Sequence, residues 1–205
     1  MSVEHVEVLV EEPSMEEALR LLLPVMLNGT SFEVYSHQGK SELLQRLPAR
    51  LRGYARWLPV SWRIVVIVDQ DGDDCRALKH RLETMARQAG LLTRSKAGDR
   101  PYALVNRLAI EELEAWYFGD WEAVRTAYPR VSATIPSRAA YRDPDAVTGG
   151  TWEAFEREMK RAGYFKTGLR KIEAARLVAA HMTPDRNTSR SFRVLLDTLR
   201  EMAPA

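Results

Sequence analysis

Several features are scarce in this sequence of 205 residues, and each absence removes a class of protein. Cys75 is the single cysteine, which excludes a disulfide scaffold or a cysteine zinc site within one chain and fits a reducing cytoplasm. No apolar run approaches the roughly 20 residues of a membrane-spanning helix, and the first residues lack the basic-then-apolar pattern of a signal peptide. We therefore expect a cytoplasmic protein with no membrane partner.

A strong excess of charge of one sign is also lacking. The chain has 30 Lys and Arg against 28 Asp and Glu, a net charge of +2, so the overall balance favours neither nucleic acid nor membrane, although arginines can still cluster locally. Neither a Gly-rich nucleotide loop nor the elbow of a serine nucleophile is present. The length and the 45% content of hydrophobic residues suffice for one domain with a sizeable core, with room for a subdomain.

The most informative stretch is 62–75, WRIVVIVDQDGDDC. A run of Ile and Val that ends in an acidic loop predicts a strand buried on both faces, as in the centre of a parallel sheet. Ligands of such sheets gather outside the carboxyl ends of the strands. The carboxylates at this end belong to Asp69, Asp71, Asp73 and Asp74.

These four carboxylates would repel one another, and a hard divalent cation with oxygen ligands would relieve the repulsion. The hypothesis is a Mg²⁺ or Mn²⁺ site at Asp69 and Asp71, with Asp73 secondary. Asp74 is assigned to the start of the next helix, where a carboxylate favours the helix dipole. The alternative is a plain acidic loop.

Strand and helix patterns alternate through the first half of the chain. A capping box formed by Ser14 and Glu17 opens the first helix, and a helix from Ser41 is kinked or divided at Pro48. The third helix runs from about Asp74 to Ala89. The predicted strands cover residues 5–10, 32–35, about 62–69 and 102–105. This alternation predicts an α/β fold with a mainly parallel sheet and flanking helices.

After Arg107 the pattern becomes helical. IEELEAWYF, residues 110–118, predicts a helix, and the long irregular stretch 128–150 is of the kind that is usually functional or mobile. Other predicted helices are one capped by Asp120, one capped by Thr151, and those over about 169–181 and 191–202. The chain is therefore divided into an α/β core, residues 1–119, and a helical subdomain packed on it, residues 120–205.

Carboxylates from three strand ends are expected to meet at one edge of a parallel sheet. They are Glu11 and Glu12, the group from Asp69 to Asp74, and Glu111, Glu112 and Glu114. One or two cations held there would stabilise the attacking and leaving oxygens of a phosphoryl displacement. On a helix Glu111 and Glu114 share a face and Glu112 lies on another, so which face meets the metal stays open, with a preference for Glu112 and Glu114. Taken singly, each of Glu16, Glu17, Glu111 and Glu114 is read more simply as part of a solvated helix face.

A phosphate substrate also needs protein cations. The candidates are Lys40, Lys166, Arg170 and Lys171. Arginines at positions 46, 50, 52 and 56 of the second helix are read more simply as a solvated face.

The order of elements resembles the toprim domain of topoisomerases, primases and OLD-type nucleases. The resemblance lies in a first strand ending Val10-Glu11 and a third strand ending Asp69-X-Asp71, and it covers roughly residues 6–118. It implies that Glu11 is a metal ligand or general acid/base, that Asp69 and Asp71 hold Mg²⁺, and that Asp73 matches a third acidic position of some members. Toprim proteins usually have Gly where this chain has Glu12, which leaves the choice between Glu11 and Glu12 open.

Over nearly its full length the chain also resembles a bacterial family known only as a domain of unknown function. The stretches that carry this resemblance are VEEPS, LPARLRGYARWLP, RIVVIVDQDGDDC, NRLAIEELEAWYFGD, YRDPDAVTGGTWE and FKTGLRKIEAA. Members of such toprim-like families are often encoded beside ATPases in bacterial defence loci, which implies an ATPase partner.

The expected function is a toprim-like, Mg²⁺-dependent nuclease that cleaves DNA or RNA in bacterial defence. Glu11, Asp69 and Asp71 would be catalytic, and Lys171, with Lys166 second, would neutralise the scissile phosphate. The full set of expected metal ligands is Glu11, Asp69, Asp71, Asp73, Glu112 and Glu114. The alternative is a non-catalytic subunit that binds nucleic acid or docks an ATPase.

Overall fold

The chain folds around a four-stranded sheet in which every strand is parallel to its neighbours, in the order β2-β1-β3-β4. The computed structural model describes residues 3–204. The strands are β1 (His5–Val10), β2 (Ser31–Ser36), β3 (Trp62–Asp69) and β4 (Leu104–Ala109). The predicted α/β class with a parallel sheet and flanking helices is confirmed.

Nine α-helices lie in the described residues. They are α1 (Pro13–Met26), α2 (Lys40–Trp57), α3 (Cys75–Gln88), α4 (Arg94–Ala97), α5 (Glu114–Gly119), α6 (Trp121–Ala127), α7 (Thr151–Arg161), α8 (Lys171–Ala179) and α9 (Arg190–Arg200). Short 3-10 turns occupy part of the irregular stretch 128–150. Within residues 3–204, no helix has the length and apolar character needed to cross a membrane.

β3 is buried on both faces, as its Ile and Val run predicts. Val65 and Ile67 pack with α1 and the helices of the second half, whereas Ile64, Val66 and Val68 pack with α2 and α3. Successive side chains of a strand point to opposite faces. Asp69, the residue after Val68, therefore follows Val65 and Ile67 toward the face that carries α5 and α8.

The helices of the second half share one hydrophobic core with α1 and the sheet. Its aromatic centre includes Phe118, whose ring stacks on Trp121 and Tyr141 at centroid distances of 5.4 and 5.0 Å. Phe155 meets Tyr117 at 5.2 Å. Packing of these rings positions the segment after β4 above the carboxyl ends of the strands.

The secondary structure predicted for residues 102–118 is partly wrong. β4 covers residues 104–109 rather than 102–105, because Ala109 pairs in register with Asp69 of β3. The helix predicted over 110–118 begins only at Glu114. Glu111 has a φ of +60°, and its carbonyl accepts the N–H of Asp71 at 2.8 Å. Glu111 and Glu112 thus lie in a loop, so the expectation based on helix faces does not apply to them.

Of the two alternatives for Pro48, division of the helix is wrong, because α2 is continuous across it, and the kink stays a prediction. Two predicted helix caps are also wrong. Ser14 does not cap α1, because Pro13 already occupies the first turn and Glu12 is the N-cap; Pro suits that position since its missing N–H has no helical partner. Thr151 is the first residue of α7 and not its cap.

The aspartates predicted as caps do serve that role. Asp74 accepts the N–H of Ala77 at 2.7 Å at the start of α3, and Asp120 accepts that of Ala123 at 3.4 Å at the start of α6.

Gly119 offers a test of how the last helix is held against α5. A Cβ built on Gly119 would lie 2.1 Å from Asn187 Oδ1 and 2.8 Å from Ser189 N, whereas one on Gly53 in α2 would meet nothing within 4 Å. We expect Gly119→Ala to lower the free energy of unfolding by about 1–3 kcal/mol through overpacking. Gly53→Ala should raise it by about 0.5–1 kcal/mol, since alanine favours a helix interior. Urea unfolding of both variants measures the difference, and equal effects would contradict the close packing at Gly119.

Candidate functional site

A group of carboxylates lies at the carboxyl ends of β1 and β3. Asp69 is the last residue of β3 and is 4% exposed. Glu11 directly follows β1, and its Oε2 accepts the N–H of Asp69 at 3.2 Å. The ends of these adjacent strands are therefore joined through Glu11, and this edge of the sheet is acidic.

Three buried polar atoms at this edge have no hydrogen-bond partner within residues 3–204. They are Asp69 Oδ1, Glu114 Oε2 and the hydroxyl of Tyr117. Tyr117 lies one helical turn after Glu114 on α5, and both residues are 1% exposed. Buried polar groups are nearly always hydrogen-bonded, so these three atoms together mark a position that suits a ligand.

Burial also shifts the protonation of the acids. Burial raises the pKa of Asp69 well above its usual range, and the nearby charges of Glu11 and Glu12 raise it further. Burial raises the pKa of Glu114 to about 8 against a partial lowering by Lys171. Burial together with Asp71 raises the pKa of Glu11 to about 7. The cause is the cost of placing a carboxylate charge in a poorly solvated site.

Lys171, at the start of α8, supplies a positive charge to this group. Its Nζ lies 3.6 Å from Glu12 Oε1 and 5.5 Å from the centre of the Trp152 ring. Burial lowers the pKa of Lys171, but Glu114 and Glu12 outweigh that effect and raise it above its usual value. Lys171 is therefore a charged ammonium beside the acids.

The acidic loop after β3 has its own ion-pair partner. Lys40 Nζ lies 2.6 Å from Asp71 Oδ2 and 2.9 Å from Asp73 Oδ2, and it donates to the Gln70 carbonyl at 3.0 Å. Asp71 adopts a φ of +49°. The site thus has a buried inner group around Asp69 and an exposed outer loop neutralised by Lys40.

The remaining candidates lie outside the inner group. Glu112 Oε2 accepts from Thr151 Oγ1 at 2.9 Å and from Trp152 N at 2.8 Å, which fixes the start of α7. Lys166 and Arg170 are exposed, and Arg170 pairs with Glu173 at 3.0 Å. Sequence reasoning missed Tyr117, although its spacing of three from Glu114 is a usable signal for a shared helix face.

The donor chemistry of the inner group fits a hard cation. Within residues 3–204, no three His, Cys, Asp or Glu side chains are grouped as a ready set of ligands. Asp69 and Glu114 nevertheless present buried oxygens without partners, and Glu11 lies beside Asp69. Mg²⁺ and Mn²⁺ take such oxygen ligands.

Comparison with known proteins places the chain in a family. Residues 10–200 match the family described as "Domain of unknown function (DUF4276)". The chain belongs to this family. The expected membership of a family of unknown function is thereby confirmed, and no protein with a curated function matches the sequence.

One solved structure shows a weak similarity to this chain. It is the C-terminal region of the OLD protein of Xanthomonas campestris pv. campestris, with 18% sequence identity and a TM-score of 0.45. The match covers 97% of this chain and 93% of that one. Neither this likeness nor the family assigns an activity.

The buried acid Glu114 makes stability depend on pH. Its raised pKa means that the folded protein keeps a proton that the unfolded chain releases, so the free energy of unfolding falls as pH rises from about 4.5 to about 8. In metal-free buffer, Glu114→Gln should make this fall shallower by up to roughly 1.4 kcal/mol per pH unit. Urea unfolding at several pH values measures it.

Glu122→Gln, at an exposed site, is the matched control and should leave the profile unchanged. Identical profiles for the wild type and Glu114→Gln would show that Glu114 is ionised at neutral pH.

Proposed function

We propose that this chain is a toprim-like nuclease that hydrolyses phosphodiester bonds of nucleic acid with the help of a divalent metal ion. The observation that carries the proposal is the set of buried oxygens without partners at Asp69, Glu114 and Tyr117. Such groups are costly for folding alone, and perturbed acids in a cluster are typical of functional sites.

Asp69, Glu114 and Glu11 are the residues that would hold Mg²⁺ or Mn²⁺. The ion would polarise a phosphoryl oxygen and lower the pKa of a water molecule. Glu11 is also placed to move a proton at this edge of the sheet, because it directly follows β1 and lies beside Asp69.

The contacts of the two neighbouring glutamates favour different roles. Glu11 accepts the N–H of Asp69, whereas Glu12 accepts from Ser14 Oγ at 2.5 Å and lies near Lys171. Glu11 is therefore the better candidate for the glutamate of the toprim motif, and Glu12 positions Lys171. Lys171 would neutralise the phosphate charge, as an ammonium held beside the carboxylates can.

The biological setting is part of the same proposal. The toprim resemblance supports DNA or RNA as the substrate and an ATPase as the partner in bacterial defence. A non-catalytic subunit of such a system is the competing assignment, and only the enzyme requires the carboxylates.

The carboxylates can be tested in a double variant. We expect Asp69→Asn with Asp71→Asn to reduce Mg²⁺- or Mn²⁺-dependent cleavage of DNA and RNA by at least about 100-fold, as happens when an electrostatic group of an active site is lost. The double variant Asp99→Asn with Asp197→Asn, at exposed positions, should cleave normally.

A second measurement is independent of any partner. Mg²⁺ or Mn²⁺ should raise the Tm of the wild type and of the control, since an ion that binds the folded state stabilises it, but not that of the Asp69 and Asp71 variant. An equal metal-induced rise in all three proteins, with partner binding and biological activity retained, would favour the non-catalytic assignment.

Lys171 and Lys166 form a matched pair of lysine variants. Lys171→Met should lower kcat by about 100-fold, because a phosphate-neutralising charge is lost, with Lys171→Arg retaining part of the activity. Lys166→Met should cleave normally, since Lys166 is exposed. Steady-state cleavage with circular dichroism as the folding check compares them, and an active Lys171→Met would remove Lys171 from the catalytic group.

A further inference from the structure

A groove with a basic rim lies between α3 and α4, away from the carboxylates. It has a volume of about 530 Å³, and its charged lining residues are His80, Glu83, Arg87, Lys96 and Arg100. Arg87, Lys96 and Arg100 are exposed, and none of the three forms an ion pair within residues 3–204. The groove therefore presents unneutralised positive charge.

Glu83, the single acid of the lining, is occupied by other contacts. Its Oε2 accepts from Thr93 Oγ1 and Ser95 Oγ, both at 2.5 Å. Its Oε1 accepts from Asn106 Nδ2 at 2.8 Å and lies 3.6 Å from Lys79 Nζ. The Glu83 side chain thus connects α3 to α4 and β4, and both of its carboxylate oxygens accept hydrogen bonds within the protein.

Other nearby acids do not neutralise the positive charge at the rim of the groove. Glu201 is paired with Arg94 at 2.6 Å, which is outside the lining of the groove. Asp99 precedes Arg100 in the chain, but it does not line the groove either. The Arg87 and Lys96 side chains form no hydrogen bond within residues 3–204, whereas the Arg100 guanidinium donates to the carbonyls of Ala97 at 3.2 Å and Lys96 at 3.3 Å and keeps its charge at the rim.

The groove belongs to the positive part of a polarised chain. Residues 40–100 contain 13 Lys and Arg against seven Asp and Glu, a net charge of +6, whereas residues 1–39 carry a net charge of −6. The overall value of +2 conceals this separation. The segment also includes the acidic loop after β3, so the charge that attracts an anion to the groove is that of Arg87, Lys96 and Arg100 in its lining.

The ligand chemistry follows from the lining. Guanidinium groups pair with phosphate oxygens through two parallel hydrogen bonds. The apolar residues of the lining are Leu91, which is buried, and Leu92, which is half-buried. The large exposed apolar side chains of the described residues lie elsewhere, so the groove offers no fully exposed apolar anchor to a protein partner. No Phe, Tyr or Trp is among the lining residues described, so the groove offers no platform for stacking unpaired bases.

α3 connects this groove to the carboxylates. The helix starts at Asp74, directly after the acidic loop, and Arg87 lies in its last turn. At 1.5 Å per residue the two positions are about 20 Å apart, which is about six base-pair steps of a duplex at 3.4 Å each.

We propose that the groove between α3 and α4 binds the phosphate backbone of a nucleic-acid duplex and holds it while another part of that duplex reaches the carboxylates. The proposal rests on the proposed nuclease function for its partner, but not on catalysis. Arg87, Lys96 and Arg100 make the backbone contacts, and Glu83 positions the two helices that carry them.

The test is binding of a labelled duplex of about 20 base pairs, long enough to span both sites, measured by fluorescence anisotropy in EDTA. The variant Arg87→Gln/Lys96→Gln/Arg100→Gln should bind at least about tenfold more weakly. The slope of log K against log salt concentration should be less steep for this variant than for the wild type by about 2.7. This difference corresponds to three lost phosphate contacts. The wild type should bind the duplex more tightly than a single strand of equal length.

The matched control is Arg142→Gln/Arg190→Gln/Arg193→Gln, which removes the same charge from exposed positions that form no ion pair in residues 3–204. It should bind like the wild type, and both variants should keep the wild-type Tm. Equal weakening in both variants, no weakening in the groove variant, or displacement of the duplex by poly-glutamate as effectively as by unlabelled duplex would overturn the proposal. Because EDTA prevents metal-dependent cleavage, a failed cleavage experiment with intact groove binding would overturn the nuclease function alone.

Discussion

Burial of carboxylates without partners is the constraint on which this structure depends. Asp69 and Glu114 are almost completely enclosed, yet each has an oxygen that no protein group satisfies. Folding alone would favour hydrogen bonds or apolar side chains there, because an unsatisfied buried group opposes folding by about 1–3 kcal/mol. The hydrophobic core on both faces of β3 must offset this cost.

The inner group is assembled from distant parts of the chain. Glu11 and Asp69 come from adjacent strands of the sheet, Glu114 from the helix after the last strand, and Lys171 from α8. The segments meet because the second-half helices share a core with α1 and the sheet. Glu11, Asp69 and Glu114 precede the expected boundary at residue 120, and Lys171 follows it.

Much of this arrangement could be predicted from the sequence. The Ile and Val run fixes β3 as a central strand, and alternation of strands and helices brings Glu11 beside Asp69, since both patterns are local. The loop at Glu111 could not be predicted, because IEELEAWYF satisfies a helical period, whereas the observed turn depends on a hydrogen bond to Asp71 in a different segment. The buried hydroxyl of Tyr117 could not be predicted, because its burial without a partner in residues 3–204 depends on the tertiary structure.

Lys40 gives the exposed loop an unusual property. Its ammonium lies within 3.0 Å of oxygens from Asp71, Asp73 and Gln70, much as a small inorganic cation would. Because the ammonium is covalently attached to α2, it cannot diffuse away, and dilution does not remove it. The aspartates of the loop are therefore partly neutralised without any added ion. A cation from solution has to compete with the Lys40 ammonium for them. A monovalent cation would gain little by replacing the ammonium, because the two charges are equal.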